Sequence, residues 1–232
     1  MAGRIYLVPV TLGGDDFTNV IPEKVIRLTS MLRYFIVENT RSARRFLRLI
    51  DKEFPINDTV FFELNEHTGD SEIAQFLEPA LKGFDMGVMS EAGLPCIADP
   101  GAKIVSLAHQ KKIKVIPLSG PSSIILALIS SGLNGQSFSF NGYLPVKPAE
   151  KAARIRDLQK KAREGYAQIF METPYRNQKM LESIFSVCDN ETKLCIAADI
   201  TLPSESIITM KIVEWRKNIP SLNDRLVIFV LQ

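Results

Sequence analysis

Histidine and cysteine are scarce in this chain of 232 residues, which has two histidines (His67 and His109) and three cysteines (Cys96, Cys188 and Cys195). Two histidines make a histidine-rich zinc site untenable, and the cysteines show no metal-ligand spacing, so no metal is expected. The odd cysteine count argues against a disulfide framework, and the three are read as small, reduced core residues. No apolar run of about 20 residues is present, and the N-terminus lacks a charged-then-apolar signal layout. No membrane association is therefore expected, and the expected compartment is the cytoplasm. An excess of one charge is missing too: with a formal net charge of +2, any nucleic-acid partner needs a local basic patch. Neither the GxxxxGK(S/T) phosphate loop nor the GxGxxG dinucleotide fingerprint occurs. No Ser/His/Asp triad, internal repeat or low-complexity tract stands out.

What the chain does have is ordinary for a soluble globular protein, with 46% hydrophobic and 23% charged residues. Its length suits one large domain or two small ones. In the first half, RIYLVPV (4–10), LRYFIVE (32–38), TVFFEL (59–64), DMGVMS (85–90) and KVIPL (114–118) read as strands. Helix-like segments alternate with them: EKVIRLTSM, TRSARRFLRLID, SEIAQFLEPAL and AKIVSLAHQKK. Such alternation predicts a mainly parallel sheet covered on both faces. In the second half SFSFNGYLP (137–145), YAQIFME (166–172), KLCIAAD (193–199), ESIITMKIVEW (205–215) and DRLVIFVL (224–231) read as strands. Its helices are SSIILALISS, KAARIRDLQKKARE and NQKMLESIFS. The last strands are separated by turns alone, which implies antiparallel hairpins. The fold class is α/β, with two α/β domains: 1–117 with a mainly parallel sheet, and 118–232 with a mixed sheet ending in antiparallel strands.

Two loops stand out. MSEAGLPCIADPG (89–101) joins a buried strand to a helix, with Gly93 and Gly101 for close backbone approach and Pro95 and Pro100 for stiffness. In an open parallel sheet ligands sit beyond the carboxyl ends of the strands, where this loop lies. IPLSGPSSIILALISSG (116–132) runs from a strand through Ser-Gly-Pro-Ser-Ser into an apolar helix, with Ser122 or Ser123 as N-cap and Gly132 at C′.

Together the two loops resemble the SDAGTPxISDPG…VxPLPGPSAxxxALxxSGL signature of the tetrapyrrole methylase-like superfamily. More narrowly, the chain resembles the branch that methylates a cytidine ribose 2′-oxygen in bacterial small-subunit rRNA. YFIVENTRSARRFL (34–47), FNGYLPVK (140–147) and IFMETPYRNQKMLE (169–182) are similar to further motifs of that branch. The resemblance spans nearly the whole chain. It implies two α/β domains, S-adenosyl-L-methionine bound in a cleft between them, rRNA or the small ribosomal subunit as partner, and a homodimer. It also implies cofactor contacts at Pro9, at Glu91, Ala92, Gly93, Leu94, Pro95 and Ile97, and at Gly120, Ser122 and Ser123. Met171, Glu172 and Ala198 are implied on the adenosine side. The chain departs from the branch pattern in its opening loop, PVTLGGDDFTNVIP, at Glu91, at Leu94, and at His67 in NEHTG. It also ends on its last strand, without the C-terminal extension of many ribose methyltransferases of the branch.

Arg41, Arg44, Arg45 and Arg48 fall at i, i+3, i+4 and i+7, opposite Ala43, Phe46, Leu47 and Ile50. A basic stripe without a carboxylate suits RNA phosphates, and it equally suits a solvated face. KAARIRDLQKKARE is basic as well, but Asp157 and Glu164 interrupt it. Methyl transfer to a hydroxyl needs in-line positioning and is helped by a base. Glu38 and Arg41, at the end of the second strand, are the candidate catalytic residues, with Glu91 as competitor. Two other readings stay open: a tetrapyrrole- or corrin-type small-molecule methyltransferase, and a cofactor-binding interaction module with a degenerate acceptor site.

Overall fold

The computed structural model describes residues 2–65 and 68–232, and His67 lies outside them. The chain divides into two compact units, Met1–Ser122 and Ser123–Gln232. In the first, five strands alternate with helices. The order is β1 (Arg4–Leu7), α1 (Glu23–Met31), β2 (Tyr34–Val37), α2 (Thr40–Ile50), β3 (Val60–Glu63), α3 (Asp70–Phe76), α4 (Glu78–Leu81), β4 (Met86–Met89), α5 (Gly101–Gln110) and β5 (Lys114–Pro117). All pairings are parallel, in the spatial order β3-β2-β4-β1-β5.

Side-chain alternation along these strands builds two cores. Tyr6, Phe35 and Val37 face one side with Val25, Phe46 and Leu47. Ile5, Ile36 and Val88 face the other with Ile73, Leu77 and Ile104. A strand alternates its faces with period two, so a sheet buried on both sides reads as a continuous apolar run.

Two expectations change here. The segment SEIAQFLEPAL is two helices, α3 and α4, that break at Leu77. Pro79 has no N–H for the Gln75 carbonyl, and its ring collides with that carbonyl in a continuous helix. The first strand is also shorter than 4–10. Pro9 cannot donate to a ladder, and beyond it Val10 N–H turns to the Gly93 carbonyl at 2.9 Å.

The second unit contains α6 (Ser123–Ser131), β6 (Phe138–Tyr143), α7 (Pro148–Arg163), β7 (Ala167–Met171), α8 (Asn177–Val187), β8 (Lys193–Ala198), β9 (Ser206–Lys211), α9 (Ile212–Trp215) and β10 (Val227–Leu231). Its sheet runs β6-β7-β10-β8-β9. β6 and β7 are parallel, β10 is antiparallel to both β7 and β8, and β8 and β9 form an antiparallel hairpin. Leu158, Phe170, Leu181, Ile196, Trp215 and Phe229 fill one core.

The hairpin expectation holds for β8 and β9 only, because β10 inserts between β7 and β8 instead of extending the edge. The ninth strand stops at Lys211, whose backbone N–H donates to the Glu214 carboxylate at 2.8 Å and opens α9. No helix among the described residues is long and apolar enough to cross a membrane.

Candidate active site

At one edge of the first sheet the carboxyl ends of β2, β4, β1 and β5 lie side by side. Three of their connections interlock. The loop after β1 exchanges backbone hydrogen bonds with the loop after β4: Val10 N–H to Gly93 O at 2.9 Å and Gly93 N–H to Thr11 O at 3.4 Å. Gly93 has φ +70, and a Cβ on it would stand 3.0 Å from Leu12 Cδ2 and 3.2 Å from the Pro121 carbonyl. On Gly120, a Cβ would fall 2.2 Å from Pro9 Cβ. Both glycines thus make room for the protein's own loops. A Val at 93 would meet Leu12 and the Pro121 carbonyl on a left-handed backbone, so its first effect would be on the fold of these loops.

Between Gly93 and Gly101 the chain is held by one carboxylate. Asp99 accepts from Cys96 N–H through Oδ2 and from Gly101 N–H through Oδ1, each at 2.7 Å. Cys96 and Ala98 take φ +71 and +62, which costs strain in non-glycine residues and recurs at functional loops. Gly93 and Pro95 are buried, Leu94 is half-buried, and Glu91, Ala92 and Ile97 face outward. Burial, followed by the charge of Asp99, pushes the Cys96 thiol up to about 12, so it is no nucleophile.

Glu38 sits half-buried where β2 ends. Its Oε2 accepts from the Glu91 N–H at 3.3 Å. Burial raises its pKa, and the negative charges of Glu91 and Asp99 add to the rise against the pull of that hydrogen bond. The candidate partner Arg41 is exposed in the first turn of α2, and it makes no hydrogen bond or ion pair with Glu38 among the described residues. Instead its backbone N–H is capped by Asn39 Oδ1 at 2.9 Å, which also accepts from Ser42 N–H at 3.2 Å. Glu63 adds a carboxylate at this helix start, accepting from the Thr40 hydroxyl at 2.8 Å.

A cavity of about 210 Å³ opens among Thr11–Asp15, α2 and the start of the β4 loop. Phe46 and Leu49 give it apolar walls, and Ser42, Ser90 and Glu91 give it polar atoms. Arg45 lies at its margin, paired with Asp15 at 3.3 Å, both side chains largely exposed. The four stripe arginines are all exposed, and Ala43, Phe46, Leu47 and Ile50 opposite them are buried. Among the described residues, Arg45 is engaged by Asp15 and Arg48 by the Lys52 carbonyl.

A family model described as "Tetrapyrrole (Corrin/Porphyrin) Methylases" matches residues 4–215. The chain belongs to the tetrapyrrole methylase family. Among its curated relatives is "Ribosomal RNA small subunit methyltransferase I" of Vibrio cholerae, 31% identical over 90% of this chain and 69% of that protein. The protein of the same name from Pseudomonas aeruginosa is 28% identical over 92% of this chain and 72% of its own. Two solved structures are similar in fold. The methyltransferase CobJ superposes with a TM-score of 0.65 at 16% identity, covering 99% of this chain and 94% of its own. A uroporphyrin-III-C-methyltransferase from Thermus thermophilus gives 0.57 at 15%, with the same coverage.

Of the remaining candidate residues, Ser122 ends the first unit and the others belong to the second. Ser122 is buried just before α6, Ser123 opens that helix, and Gly132 follows it at φ +69. Met171 ends β7 and Ala198 ends β8, flanking the start of β10 through the pairs Met171–Ile228 and Ala198–Val227. Glu172 is fully buried, and its Oε1 accepts from Thr173 N–H at 2.8 Å and from Arg176 Nη2 at 2.6 Å. Asp99, Asn39 and the cavity were not anticipated from the sequence. The Asn-Thr and Asp-Pro-Gly steps were visible signals for the first two.

Proposed function

We propose that the protein transfers a methyl group from S-adenosyl-L-methionine to a ribose 2′-hydroxyl of small-subunit rRNA. The observation that carries this reading is the 31% identity, over 90% of the chain, to a protein named for methylating small-subunit ribosomal RNA. The site supports it. A sulfonium is a cation, and the carboxylates of Glu38, Glu91 and Asp99 suit one; burial first, and then the charges of the other two, raise the pKa of Glu38. The exposed small and apolar surface of Ala92 and Ile97, with Pro9, Gly93, Leu94, Pro95, Gly120 and Ser122 behind it, would hold a neutral nucleoside. When bound, the cofactor supplies an electrophilic methyl group.

The cavity beside α2 takes the acceptor nucleotide, with Phe46 and Leu49 against its apolar surface and Ser42 and Glu91 toward its hydroxyls. Its roughly 210 Å³ lies below the ~300–1,000 Å³ of ordinary small-molecule clefts, which suits one nucleoside better than a macrocycle. Glu38 lies outside that cavity's lining, next to it through the Glu91 N–H that its carboxylate accepts; with the ribose reaching past Glu91, it accepts the proton of the acceptor hydroxyl, and its raised pKa brings its basicity nearer the working pH. Arg41 and Arg44 meet flanking phosphates. The active form is a cytoplasmic homodimer.

Labelled cofactor incubated with small ribosomal subunits, naked rRNA and precorrin-type compounds in parallel tests the reading. Label is expected in rRNA, at a site made resistant to alkaline cleavage. Label in the corrin precursor alone, or in no acceptor, overturns it.

A further inference from the structure

The connections leaving β6 and β7 carry two exposed tyrosines. Tyr143 ends β6 opposite Met171, and Tyr175 lies in the 3₁₀ turn Pro174–Arg176 that follows β7. Because β6 and β7 are adjacent and parallel, both residues lie toward the carboxyl end of the same two strands. Tyr175 is 70% exposed and Tyr143 54%, so neither ring is there to fill a core.

The Tyr175 turn is nevertheless held from beneath. Arg176 N–H donates to the Thr173 carbonyl at 2.9 Å, and Arg176 Nε and Nη2 donate to Glu172 Oε1 at 2.9 and 2.6 Å. That carboxylate is fully buried, so the ion pair is shielded from solvent. So anchored, the guanidinium lies 5.3 Å from the centroid of the Tyr175 ring. One face of the ring is against a cation and the opposite face is open.

Charge in the neighbouring segments favours an anion. Over 147–157 and 172–182, Lys147, Lys151, Arg154, Arg156 and Lys179 outnumber Glu150, Asp157 and Glu182; Lys147 is paired with Glu150 at 3.2 Å, and the charge of Glu172 is already matched by Arg176. An ordered, arginine-backed aromatic face between net-basic segments of chain is the chemistry that stacks nucleobases.

We propose that Tyr175, backed by Arg176 and accompanied by Tyr143, is a stacking platform for an unpaired base of the RNA. The inference rests on reading the acceptor as RNA and adds its class. Base faces are hidden inside an A-form helix, so the platform selects a single-stranded stretch.

Fluorescence anisotropy with a short single-stranded oligoribonucleotide and a duplex of equal length tests this on the full chain, Tyr175→Ala and Tyr175→Phe. Tyr175→Ala should weaken single-strand binding about five- to hundred-fold, and Tyr175→Phe should stay within about two-fold of the parent. The salt dependence should not change, because a stacking interaction releases no counterions. Melting temperature serves as the control for folding. Equal single-strand affinity in a well-folded Tyr175→Ala overturns the platform, as does an equal loss for duplex and single strand. A Tyr175→Ala that turns a dimer into a monomer in sedimentation while keeping RNA affinity reassigns the ring to packing against a second copy. If the parent binds S-adenosylhomocysteine but no RNA at all, the RNA reading itself falls and takes the platform with it.

Discussion

Gly120→Ala is the sharpest perturbation of the loop arrangement. Gly120 is not in the left-handed region, so alanine can adopt its backbone and the cost is one of space alone. The new Cβ would lie 2.2 Å from Pro9 Cβ and 2.4 Å from Pro9 Cγ, both on a rigid ring. Carbon atoms rest about 3.5–4.0 Å apart, so the β5 connection and the β1 connection must separate by more than about 1 Å. Overpacking of this kind costs about 1–3 kcal/mol. At about 2–4 °C per kcal/mol for a chain of this size, melting should fall by roughly 2–12 °C. Gly132→Ala is the contrast: its φ is +69 with nothing within 4 Å, so it should lose about 1–2 kcal/mol to backbone strain without moving a loop. Pro9→Gly removes both offending carbons, so in the double variant with Gly120→Ala the two losses should be less than additive by about 0.5–3 kcal/mol. Urea unfolding measures the stabilities, and calorimetry with S-adenosylhomocysteine reports whether the displaced loops shape the cofactor site. A Gly120→Ala protein within about 0.3 kcal/mol of the parent, or strict additivity in the cycle, refutes the packing argument.

Glu38→Gln should lower the methylation rate about 10²- to 10⁴-fold and leave S-adenosylhomocysteine binding in place, measured by labelled transfer and calorimetry. The parent's rate should fall as pH drops through the raised pKa of Glu38. Because that pKa is raised on folding, its favourable contribution is complete below the unfolded value and is lost as pH rises through the folded one. Glu38→Gln should therefore melt higher than the parent at neutral pH. For Asp199, burial pushes its pKa up, but hydrogen bonds from Arg225, Leu226 N–H and Ser204 outweigh it and hold the pKa down. Its stabilisation is present above the ordinary carboxylate range and is lost as pH falls through the depressed value. Asp199→Asn should cost about 1–3 kcal/mol at neutral pH in urea unfolding and flatten that acid limb. Replacing Arg44 and Arg45 by alanine should reduce the log–log salt slope of RNA binding by about 0.7–0.9 for each phosphate that is no longer neutralised. An unchanged slope makes the stripe a solvated face.

Much of the first sheet was legible because its inner strands are buried on both sides, so IYL, YFIV and MGVM appear as apolar runs between amphipathic helices. Helix α2 was legible for the same reason, its arginines and its apolar residues falling on opposite faces. Where β10 pairs could not be read. VIFVL has no feature that distinguishes an edge strand from a central one, and its insertion between β7 and β8 depends on partners about 30 to 60 residues away that are equally apolar. Gly87 is a similar case: a Cβ there would stand 2.7 Å from the Phe35 ring, a cross-strand fit without local signature. The cavity escaped because it assembles from residues far apart in sequence, such as Asp15, Arg45 and Glu91.

Burial and partners separate the carboxylates that the sequence presents alike. Asp99 spends both oxygens on backbone N–H groups two and three residues away, so its charge shapes a loop. Glu172 is fully buried and its Oε1 meets a guanidinium at 2.6 Å, so its charge is matched inside the fold. Asp199 is likewise matched by Arg225 at 2.7 Å. Glu38 differs from all three. It is half-buried, it has no cationic partner among the described residues, its one hydrogen bond is long at 3.3 Å, and two other carboxylates press on its charge. A carboxylate kept in that state costs stability at neutral pH, and a structural role gives no reason to retain it. On the proposed function, a cationic methyl donor and a hydroxyl proton would supply that reason: the first would relieve the clustered negative charge, and the second is what a carboxylate of raised pKa would take.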